Sequence, residues 1–534
     1  MPEKIRFRVS GWLGDEEFRE LLEFSNYVGR ERGASVFELD PLKMRRNSYT
    51  LRDVYAKLSS IESVNDEDLE ALRKAYLEEF SVEVKMGYDG LLRVSSRAPL
   101  KEFFQSIGIV PPYSPSEKAF KTPAHLYYKI VSELAKRGFN VVDELNLLNK
   151  NLPRKTGFNG VLRDYQKEAL EAWAGNEYRG VLALPTGSGK TVIAVAGIAM
   201  LGKPALIVVY TKDHVRQWVE AFRKFTDASS LVGAYYGEEK KLSHITITTY
   251  QTAFRKIREF SRYFPLIVFD EAHHLPAEKF KAIAFRMPAP YRLGLSATPE
   301  REDGKHEEIF PLVGGVIYVK TPSELAEKGY LAPFIIRRVK VKLSNGERER
   351  YETLRRRFQS LSGGRSFQEL LETAKKGDRN AVEALKVHAT LRNIIQYSES
   401  KLKAVEEIVR KELANGNKII VFTQYKEQAE EIGRRVKGYV LHGDLKDKER
   451  EAILRQFKET KTGVLIVTTV GDEGLDVPDA NIGVFVSGTG SRRQFIQRLG
   501  RLLRPAPGKK AVLYEIIVAG TSEEFQSRRR RELV

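Results

Sequence analysis

Short apolar runs recur through the part of the chain that follows residue 160, and segments with apolar residues at helical spacing separate them. The runs lie at 181–184, 205–210, 245–248, 266–269 and 291–295, and again at 419–422, 438–441, 464–467, 482–486 and 511–517. Such runs between helices are typical of strands buried on both faces of a parallel sheet. The pattern therefore predicts an α/β fold with two parallel-sheet lobes, at 151–334 and 335–534.

The first part of the chain, residues 1–150, shows no repeated pattern and predicts a separate mixed α/β region. Its periodicity indicates a strand at 5–9, a helix at 16–28, a hairpin at 82–94 and a helix at 123–137. The glycine and prolines between 108 and 115 are expected to form a linker or a lobe boundary.

A polar segment at 345–387 separates the two series of apolar runs, and its spacing predicts helices that break at Gly363 and Gly364. Between residues 340 and 386 the chain has twelve Lys or Arg against seven Asp or Glu. We therefore expect a basic helical insertion in the second lobe.

The charge of the chain favours a polyanionic partner. It has 89 Lys and Arg against 71 Asp and Glu, a net charge of +18, and nucleic acid is the first candidate. Basic residues that only solubilise the surface are the alternative, and charge alone does not separate the two. The longest apolar run, at 192–201, is about half of the roughly 20 residues that a membrane span requires. With neither a signal nor a transit segment in the sequence, we expect an intracellular protein without membrane contact.

A phosphate-binding loop follows the first predicted strand of the first lobe. The loop reads PTGSGKT and comprises Pro185, Thr186, Gly187, Ser188, Gly189, Lys190 and Thr191, although Leu184 stands where the general pattern has glycine. Glycines let consecutive N–H groups and the helix N-terminus point at phosphates, while the lysine reaches the β- and γ-phosphates and the threonine helps to hold Mg²⁺. The loop predicts ATP and Mg²⁺ as cofactors.

Two carboxylates, Asp270 and Glu271, follow the apolar run at 266–269. At the carboxyl end of a buried strand, Asp270 can hold Mg²⁺ through water and Glu271 can orient or deprotonate the attacking water. An acidic pair at a strand end can also be a simple helix cap. The presence of Lys190 on an earlier strand favours the metal site.

The second lobe contains a candidate set of arginines in QFIQRLGRLLR. Gln497, Arg501 and Arg504 have spacings of four and three, which place them on one helical face. Arginines presented across a cleft can stabilise the charge on a transferred phosphoryl group. A basic helix face in water is the alternative, but Leu499 and Leu502 indicate a packed helix.

From about residue 161 onward, the chain resembles superfamily 2 helicases. The matching elements, in order, are LRDYQ at 162–166, PTGSGKT, DEAH at 270–273, SAT at 296–298, TTVGDEGLD at 468–476 and QFIQRLGRLLR. The resemblance implies two RecA-like lobes, with Arg163 and Gln166 contacting the nucleotide base and Gly474 and Asp476 contacting the nucleotide from the second lobe.

Within that superfamily the chain is most similar to the XPB (xeroderma pigmentosum group B) type in its archaeal form. GLSATPEREDG, at 294–304, matches that family's Arg-Glu-Asp element at Arg301, Glu302 and Asp303. The resemblance implies that this element helps to part DNA strands, that the basic insertion is the DNA-gripping thumb, and that residues 1–150 form a damage-recognition-like module. From the residues alone, the Arg-Glu-Asp element would more often be a charged helix start.

Further DNA contacts are expected at two loops and in the thumb. By resemblance, Thr249 and Gln424 lie where such loops touch the DNA backbone. Arg355, Arg356, Arg357 and Phe358 could contact phosphates and stack against a base, and an ordinary solvated helix is an equal alternative. Trp218 lies in a segment resembling a first-lobe strand-contact element, but a buried core residue is the simpler interpretation.

We therefore expect an ATP-dependent helicase or translocase that steps along DNA as its lobes open and close. The resemblance implies 3′-5′ movement, a role in nucleotide excision repair or transcription-linked duplex opening, and a nuclease partner. The DNA substrate could be a duplex, a fork or a single strand, in the cytoplasm and nucleoid of a prokaryotic or archaeal cell. The alternatives are a duplex translocase without processive unwinding, an RNA helicase, and a catalytically idle DNA-binding scaffold that recruits a nuclease.

Overall fold

A computed structural model describes residues 5–79, 81–274, 278–298, 306–468, 480–486 and 511–524. The chain divides into two compact units, of which the first comprises residues up to Lys150 with Ile257–Tyr263 and Phe285–Pro290. The second comprises the remainder of the chain from Asn151. No helix in the described ranges is long and apolar enough to cross a bilayer.

The first unit begins with a small antiparallel sheet in the order β1-β3-β2. Its elements are β1 (Arg6–Ser10), α1 (Asp15–Leu22), β2 (Ser25–Glu31), β3 (Ala34–Leu39), α2 (Pro41–Arg46), α3 (Leu51–Ser59) and α4 (Asp66–Glu79). The strand predicted at 5–9 is confirmed, but the helix predicted at 16–28 is wrong beyond Leu22. Tyr27 pairs with Phe37 across β2 and β3, so strand pairing overrides the helical spacing there.

A second sheet of the first unit has the order β6-β7-β5-β4-β8. Its elements are β4 (Ser81–Met86), β5 (Leu91–Ser96), α5 (Lys101–Ser106), β6 (Tyr113–Ser114), β7 (Ala119–Pro123), α6 (Tyr127–Lys136) and β8 (Asn140–Asp143). The predicted hairpin and the predicted helix are confirmed by β4–β5 and α6. The interpretation of 108–115 as a linker or lobe boundary is wrong, because Tyr113–Ser114 pairs with β7 as the edge of this sheet.

The first lobe of the second unit contains an eight-stranded sheet in the order β12-β11-β13-β10-β14-β15-β9-β16, parallel except for β12. Its strands are β9 (Arg179–Ala183), β10 (Ala205–Val209), β11 (Val232–Tyr236), β12 (Glu239–Lys240), β13 (Ile245–Thr249), β14 (Leu266–Phe269), β15 (Tyr291–Ser296) and β16 (Val316–Val319). Its helices are α7 (Asp164–Gly175), α8 (Lys190–Leu201), α9 (Lys212–Phe225), α10 (Tyr250–Phe260), α11 (Glu278–Arg286), α12 (His306–Val313) and α13 (Pro322–Glu327).

The second lobe contains a six-stranded parallel sheet in the order β17-β22-β21-β18-β20-β19. Its strands are β17 (Phe334–Val341), β18 (Lys418–Thr423), β19 (Tyr439–Leu441), β20 (Gly463–Thr468), β21 (Ile482–Phe485) and β22 (Ala511–Val518). Its helices are α14 (Asn345–Ser362), α15 (Phe367–Lys375), α16 (Arg379–Gln396), α17 (Glu399–Ala414), α18 (Lys426–Val436) and α19 (Asp447–Glu459).

The fold class predicted from the sequence is confirmed: two parallel-sheet lobes, a helical insertion and an N-terminal α/β region. The insertion consists of α14, α15 and α16, and it ends at Gln396 rather than at residue 387. Gly363, with a φ of +56°, ends α14 at the predicted break, because a left-handed residue cannot continue the helix.

Candidate nucleotide-binding site

The phosphate-binding loop lies between β9 and α8, and its glycines turn the backbone. Gly187 and Gly189 have φ values of +86° and +79°, in the left-handed region that favours glycine. Lys190 begins α8, is 9% exposed, and donates from Nζ to the carbonyl of Leu184 at 3.0 Å. The loop thus presents a helix N-terminus and an ammonium group at the end of a buried strand, as a triphosphate site requires.

Two buried hydroxyls of this loop test whether it fits phosphate. Thr186 Oγ1 and Ser188 Oγ have no hydrogen-bond partner among the described residues. Buried hydroxyls without partners are costly, so they are expected to have one in the functional state. Phosphate oxygens would accept from both, and the loop therefore fits ATP.

Gln166 connects the phosphate-binding loop to the start of α7 through hydrogen bonds. Its Nε2 donates to the carbonyl of Ser188 at 3.0 Å, and its Oε1 accepts from the amide of Arg163 at 2.9 Å. A Cβ on Gly189 would lie 2.7 Å from this Nε2, so a larger residue there would displace the Gln166 amide from its present position. The side chain predicted to contact the base is buried and connects the start of α7 to the phosphate loop in this structure.

Arg163, the other predicted base contact, lies at the entrance to α7 and is partly buried. Its Nη1 donates to the carbonyl of Tyr330 at 2.8 Å, and its guanidinium lies 5.7 Å from the centre of the Tyr330 ring. Tyr330 in turn donates to Asp164 at 3.1 Å. The guanidinium is therefore held beside an aromatic ring, in an arrangement suited to a planar base.

Asp270 and Glu271 follow β14, and both carboxylate oxygens of Asp270 accept hydrogen bonds. Trp218 Nε1 donates to Oδ2 at 2.8 Å, and the amide of Glu271 donates to Oδ1 at 3.0 Å. Glu271 has a φ of +50°, and its Oε2 lies 3.2 Å from Nδ1 of His273. A left-handed glutamate costs backbone free energy, and such strain clusters at functional sites.

Tyr250 fixes the main chain of the same carboxylate pair. Its hydroxyl donates to the carbonyl of Asp270 at 2.9 Å, and its side chain is fully buried. Burial, followed by the charges of Asp270 and Glu271, raises the pKa of Tyr250 well above its ordinary value, so it remains a donor. Tyr250 directly follows Thr249, the predicted DNA contact, whose hydroxyl donates to Thr252 at 3.0 Å.

Strand order brings the motifs of the first lobe together. β9, β15 and β14 are adjacent parallel strands, so the phosphate loop, Ser296 and Asp270 lie at one edge of the sheet. The amide of Leu184 donates to the carbonyl of Ser296 at 2.9 Å, and this hydrogen bond joins the start of the phosphate loop to the end of β15. Neighbouring strands are about 4.8 Å apart, so the ends of β9 and β14 are about 10 Å from each other, a span that a triphosphate with Mg²⁺ can bridge.

Several predicted site residues lie outside the described residues: Arg301, Glu302, Asp303, Gly474, Asp476, Gln497, Arg501 and Arg504. Their roles stay predictions.

The thumb arginines have different surroundings. Nη1 of Arg355 lies 3.6 Å from Oε1 of Glu352, and Nη2 of Arg357 lies 2.8 Å from Oε1 of Glu383. Arg356 is exposed. Phe358 is half-buried, and its ring lies 5.4 Å from that of His388. Its position in the thumb core does not favour the base-stacking role.

Gln424, the predicted DNA contact of the second lobe, lies directly after β18. Its Oε1 accepts from Nη2 of Arg392 at 3.3 Å. Arg392 belongs to α16, so this bond connects the base of the thumb to the predicted DNA-contact loop.

Comparisons with known proteins match both lobes. A family model described as "Type III restriction enzyme, res subunit" matches residues 159–301, and one described as "Helicase conserved C-terminal domain" matches residues 400–506. The DNA 3′-5′ translocase XPB2 of Sulfurisphaera tokodaii is 41% identical over 379 residues, which cover 70% of this chain and 84% of that protein.

Two further relatives extend the comparison. The DNA 3′-5′ helicase XPB of Mycobacterium tuberculosis is 31% identical over 70% of this chain and 63% of its own length. The general transcription and DNA repair factor IIH helicase/translocase subunit XPB of Enterocytozoon bieneusi is 28% identical over 78% of this chain and 68% of its own length.

Proposed function

Since the chain belongs to the XPB family of superfamily 2 DNA helicases, we propose that it is an ATP-driven motor that moves 3′ to 5′ on DNA. Relatives named as 3′-5′ translocases and helicases support the direction and the substrate. The single observation that carries the proposal is the shared edge of β9, β15 and β14, where the phosphate loop and the Asp270–Glu271 pair meet.

In the proposed reaction, Lys190 neutralises the β- and γ-phosphates while the loop amides and hydroxyls hold their oxygens. Thr191 and Asp270 would hold Mg²⁺, which supplies charge neutralisation when it is bound. Glu271 orients the attacking water and accepts its proton. The left-handed backbone of Glu271 and the 3.2 Å distance between its Oε2 and Nδ1 of His273 support a specialised role for this carboxylate.

The second lobe would complete the site with Gln497, Arg501 and Arg504 once the lobes close. Their helical spacing supports this role, and an arginine finger typically accelerates phosphoryl transfer about 10³- to 10⁵-fold. Gly474 and Asp476 would contact the nucleotide from the same lobe. Alternate closure and release would then step the protein along one strand.

DNA would contact Thr249, Gln424 and the thumb, and the element Arg301, Glu302 and Asp303 would part the strands. The exposed guanidinium of Arg356 supports a phosphate contact by the thumb. We further propose the domain limits 1–150, 151–334 and 335–534, with residues 1–150 as a damage-recognition-like module.

Nucleotide excision repair is the proposed setting, in the cytoplasm and nucleoid, with transcription-linked duplex opening as a second. The name of the Enterocytozoon bieneusi relative, a general transcription and DNA repair factor subunit, supports a role in DNA repair and in transcription, and excision repair in particular is proposed from the family resemblance. A nuclease partner is proposed from the family resemblance. Duplex translocation without processive unwinding is separated from unwinding by comparing fork and plain-duplex substrates, with and without Arg301→Ala.

The function is tested by ATP hydrolysis with Mg²⁺ in the presence of duplex DNA, single-stranded DNA or RNA. We expect DNA to stimulate turnover most. Glu271→Gln should bind ATP yet hydrolyse it at least about 10²-fold more slowly, because the carboxylate that accepts the proton is gone. Glu239→Gln, which changes an exposed carboxylate on β12 of the same sheet, should behave as wild type. Normal DNA-stimulated turnover by Glu271→Gln would overturn the assignment, and a wild-type chain without ATPase activity would favour the idle scaffold.

A further inference from the structure

The indole of Trp218 contacts the carboxylate that the proposed mechanism assigns to Mg²⁺. Its Nε1 donates to Oδ2 of Asp270 at 2.8 Å. The two side chains are distant in sequence, and both are buried, with Trp218 1% and Asp270 9% exposed. A hydrogen bond to a charged group is stronger where water is excluded.

The bond leaves Asp270 able to serve Mg²⁺. Each carboxylate oxygen can accept about two hydrogen bonds. Trp218 takes one position on Oδ2, and the amide of Glu271 takes one on Oδ1. The two donors fix the rotation of the carboxylate, and among the described residues no further donor to it is seen, so one acceptor position on each oxygen is left for water bound to Mg²⁺.

The indole is itself held rigidly. Trp218 lies on α9, and Val215 and Phe222 of the same helix face are each 1% exposed. The helix follows β10, which pairs with β14 so that Val208 lies opposite Phe269, the residue before Asp270. The buried side chains of this helix face and of β14 belong to one hydrophobic core, and the N–H group therefore has a fixed direction.

Resting on the function proposed above, we propose that Trp218 is a positioning residue for Mg²⁺-dependent ATP hydrolysis. It holds the carboxylate of Asp270 in the rotamer that receives Mg²⁺-bound water, and so lowers the Mg²⁺ concentration that hydrolysis requires. Partners that orient a metal-binding group in this way typically change metal affinity by about 10- to 100-fold when they are removed.

Trp173 of the same lobe is a matched control. Its side chain is 0% exposed, and its Nε1 donates at 2.9 Å to the main-chain carbonyl of Arg292. Trp173→Phe and Trp218→Phe therefore remove the same atoms and one buried hydrogen bond each. Only Trp218→Phe releases a carboxylate of the proposed Mg²⁺ site.

The experiment measures DNA-stimulated ATP hydrolysis by the full chain as a function of Mg²⁺ concentration. For Trp218→Phe we expect the half-saturating Mg²⁺ concentration to rise about tenfold, with turnover recovering as Mg²⁺ saturates. For Trp173→Phe we expect a half-saturating concentration within about twofold of wild type. Equal shifts in the two variants, or no shift in Trp218→Phe, would overturn the positioning role. A wild-type chain without Mg²⁺-dependent hydrolysis would instead overturn the proposed function.

A second measurement needs no change at Trp218. The chain has three tryptophans, so ¹⁵N-labelled indoles give three Nε1–H signals, assigned with Trp12→Phe and Trp173→Phe. Addition of Mg²⁺ with a non-hydrolysable ATP analogue should shift the Trp218 signal, because its acceptor comes to share electron density with Mg²⁺-bound water. The Trp173 signal should move much less. A stationary Trp218 signal at saturating analogue and Mg²⁺ would refute the inference even if Trp218→Phe did not fold.

Discussion

Lys401 allows a stability prediction to be worked from the geometry of a buried ion pair. Its Nζ donates to Oε1 of Glu523 at 2.6 Å and to the carbonyl of Val486 at 2.8 Å. The two charged side chains are 0% and 8% exposed, and Oε2 of Glu523 accepts from the amide of Val518 at 3.1 Å. The pair therefore joins the start of α17 to the ends of β21 and β22.

Lys401→Met keeps most of the side-chain volume but leaves the Glu523 carboxylate buried without its cation. Removal of one partner from a buried pair costs about 3–5 kcal/mol of unfolding free energy. Lys340→Met is the matched control, because Nζ of Lys340 lies 2.6 Å from Oε1 of Glu524, the same distance as in the buried pair. The side chains of Lys340 and Glu524 are 58% and 26% exposed. An exposed pair is worth at most about 1 kcal/mol. We therefore expect at least about 2 kcal/mol between the two variants.

The assay is guanidinium unfolding combined with hydrogen exchange of the amides of β21 and β22, because a chain with several domains does not unfold in one step. The double variant Lys401→Met/Glu523→Gln should recover part of the loss, since it removes the unpaired charge. Equal destabilisation by Lys401→Met and Lys340→Met would refute the argument from burial.

Four further outcomes are expected. Burial, and then the charge of Arg392, lowers the pKa of His388 below its ordinary 6.5, so the unfolded thumb binds more protons than the folded thumb below that pH. The stability of the thumb should therefore be complete above pH 6.5 and should fall as the pH drops through that value. Hydrogen exchange measures this fall, which should be abolished in His388→Phe. Glu271→Gly should raise the unfolding free energy by about 1 kcal/mol, because glycine tolerates the positive φ, while hydrolysis is lost. Arg356→Gln should reduce the slope of log affinity for duplex DNA against log salt by about 0.9, the value for one phosphate contact, and an unchanged slope would exclude that contact. Tyr250→Phe should lower the stimulation of ATP hydrolysis by DNA, since it removes the hydrogen bond between the residue after Thr249 and the main chain of Asp270; stimulation equal to wild type would count against this connection.

The central strands were predictable because each is an apolar run long enough to be recognised by itself. Four strands of the two lobes were missed. β16 and β17 are edge strands with exposed positions along their length, and β12 is an edge strand of two residues. β11 is buried, but Gly233 interrupts its apolar run. Val28 was assigned to a helix because spacing along the chain carries no information about the pairing of β2 with β3. Local patterns therefore predict buried strands better than strands whose stability comes from one neighbour.

The candidate site divides in the same way. The phosphate loop and the Asp270–Glu271 pair were predictable because each motif carries its chemistry in consecutive residues. The hydrogen bonds of Trp218 and Tyr250 to Asp270 were not predictable, because they span 52 and 20 positions and depend on strand order. The one available signal was chemical: a buried indole N–H needs an acceptor, and strand-end carboxylates are among the few candidates.

The contact between Arg163 and Tyr330 has a consequence for the coupling between nucleotide binding and the movement of the lobes. Tyr330 lies just before β17, the first strand of the second lobe. The Tyr330 carbonyl accepts from only one of the five N–H donors of the Arg163 guanidinium. An adenine ring held by the remaining donors would be tied through one side chain to the tether between the lobes. Binding of the nucleotide base would then make the segment between the lobes more rigid. Nucleotide binding alone, before hydrolysis, would therefore limit the relative movement of the two lobes.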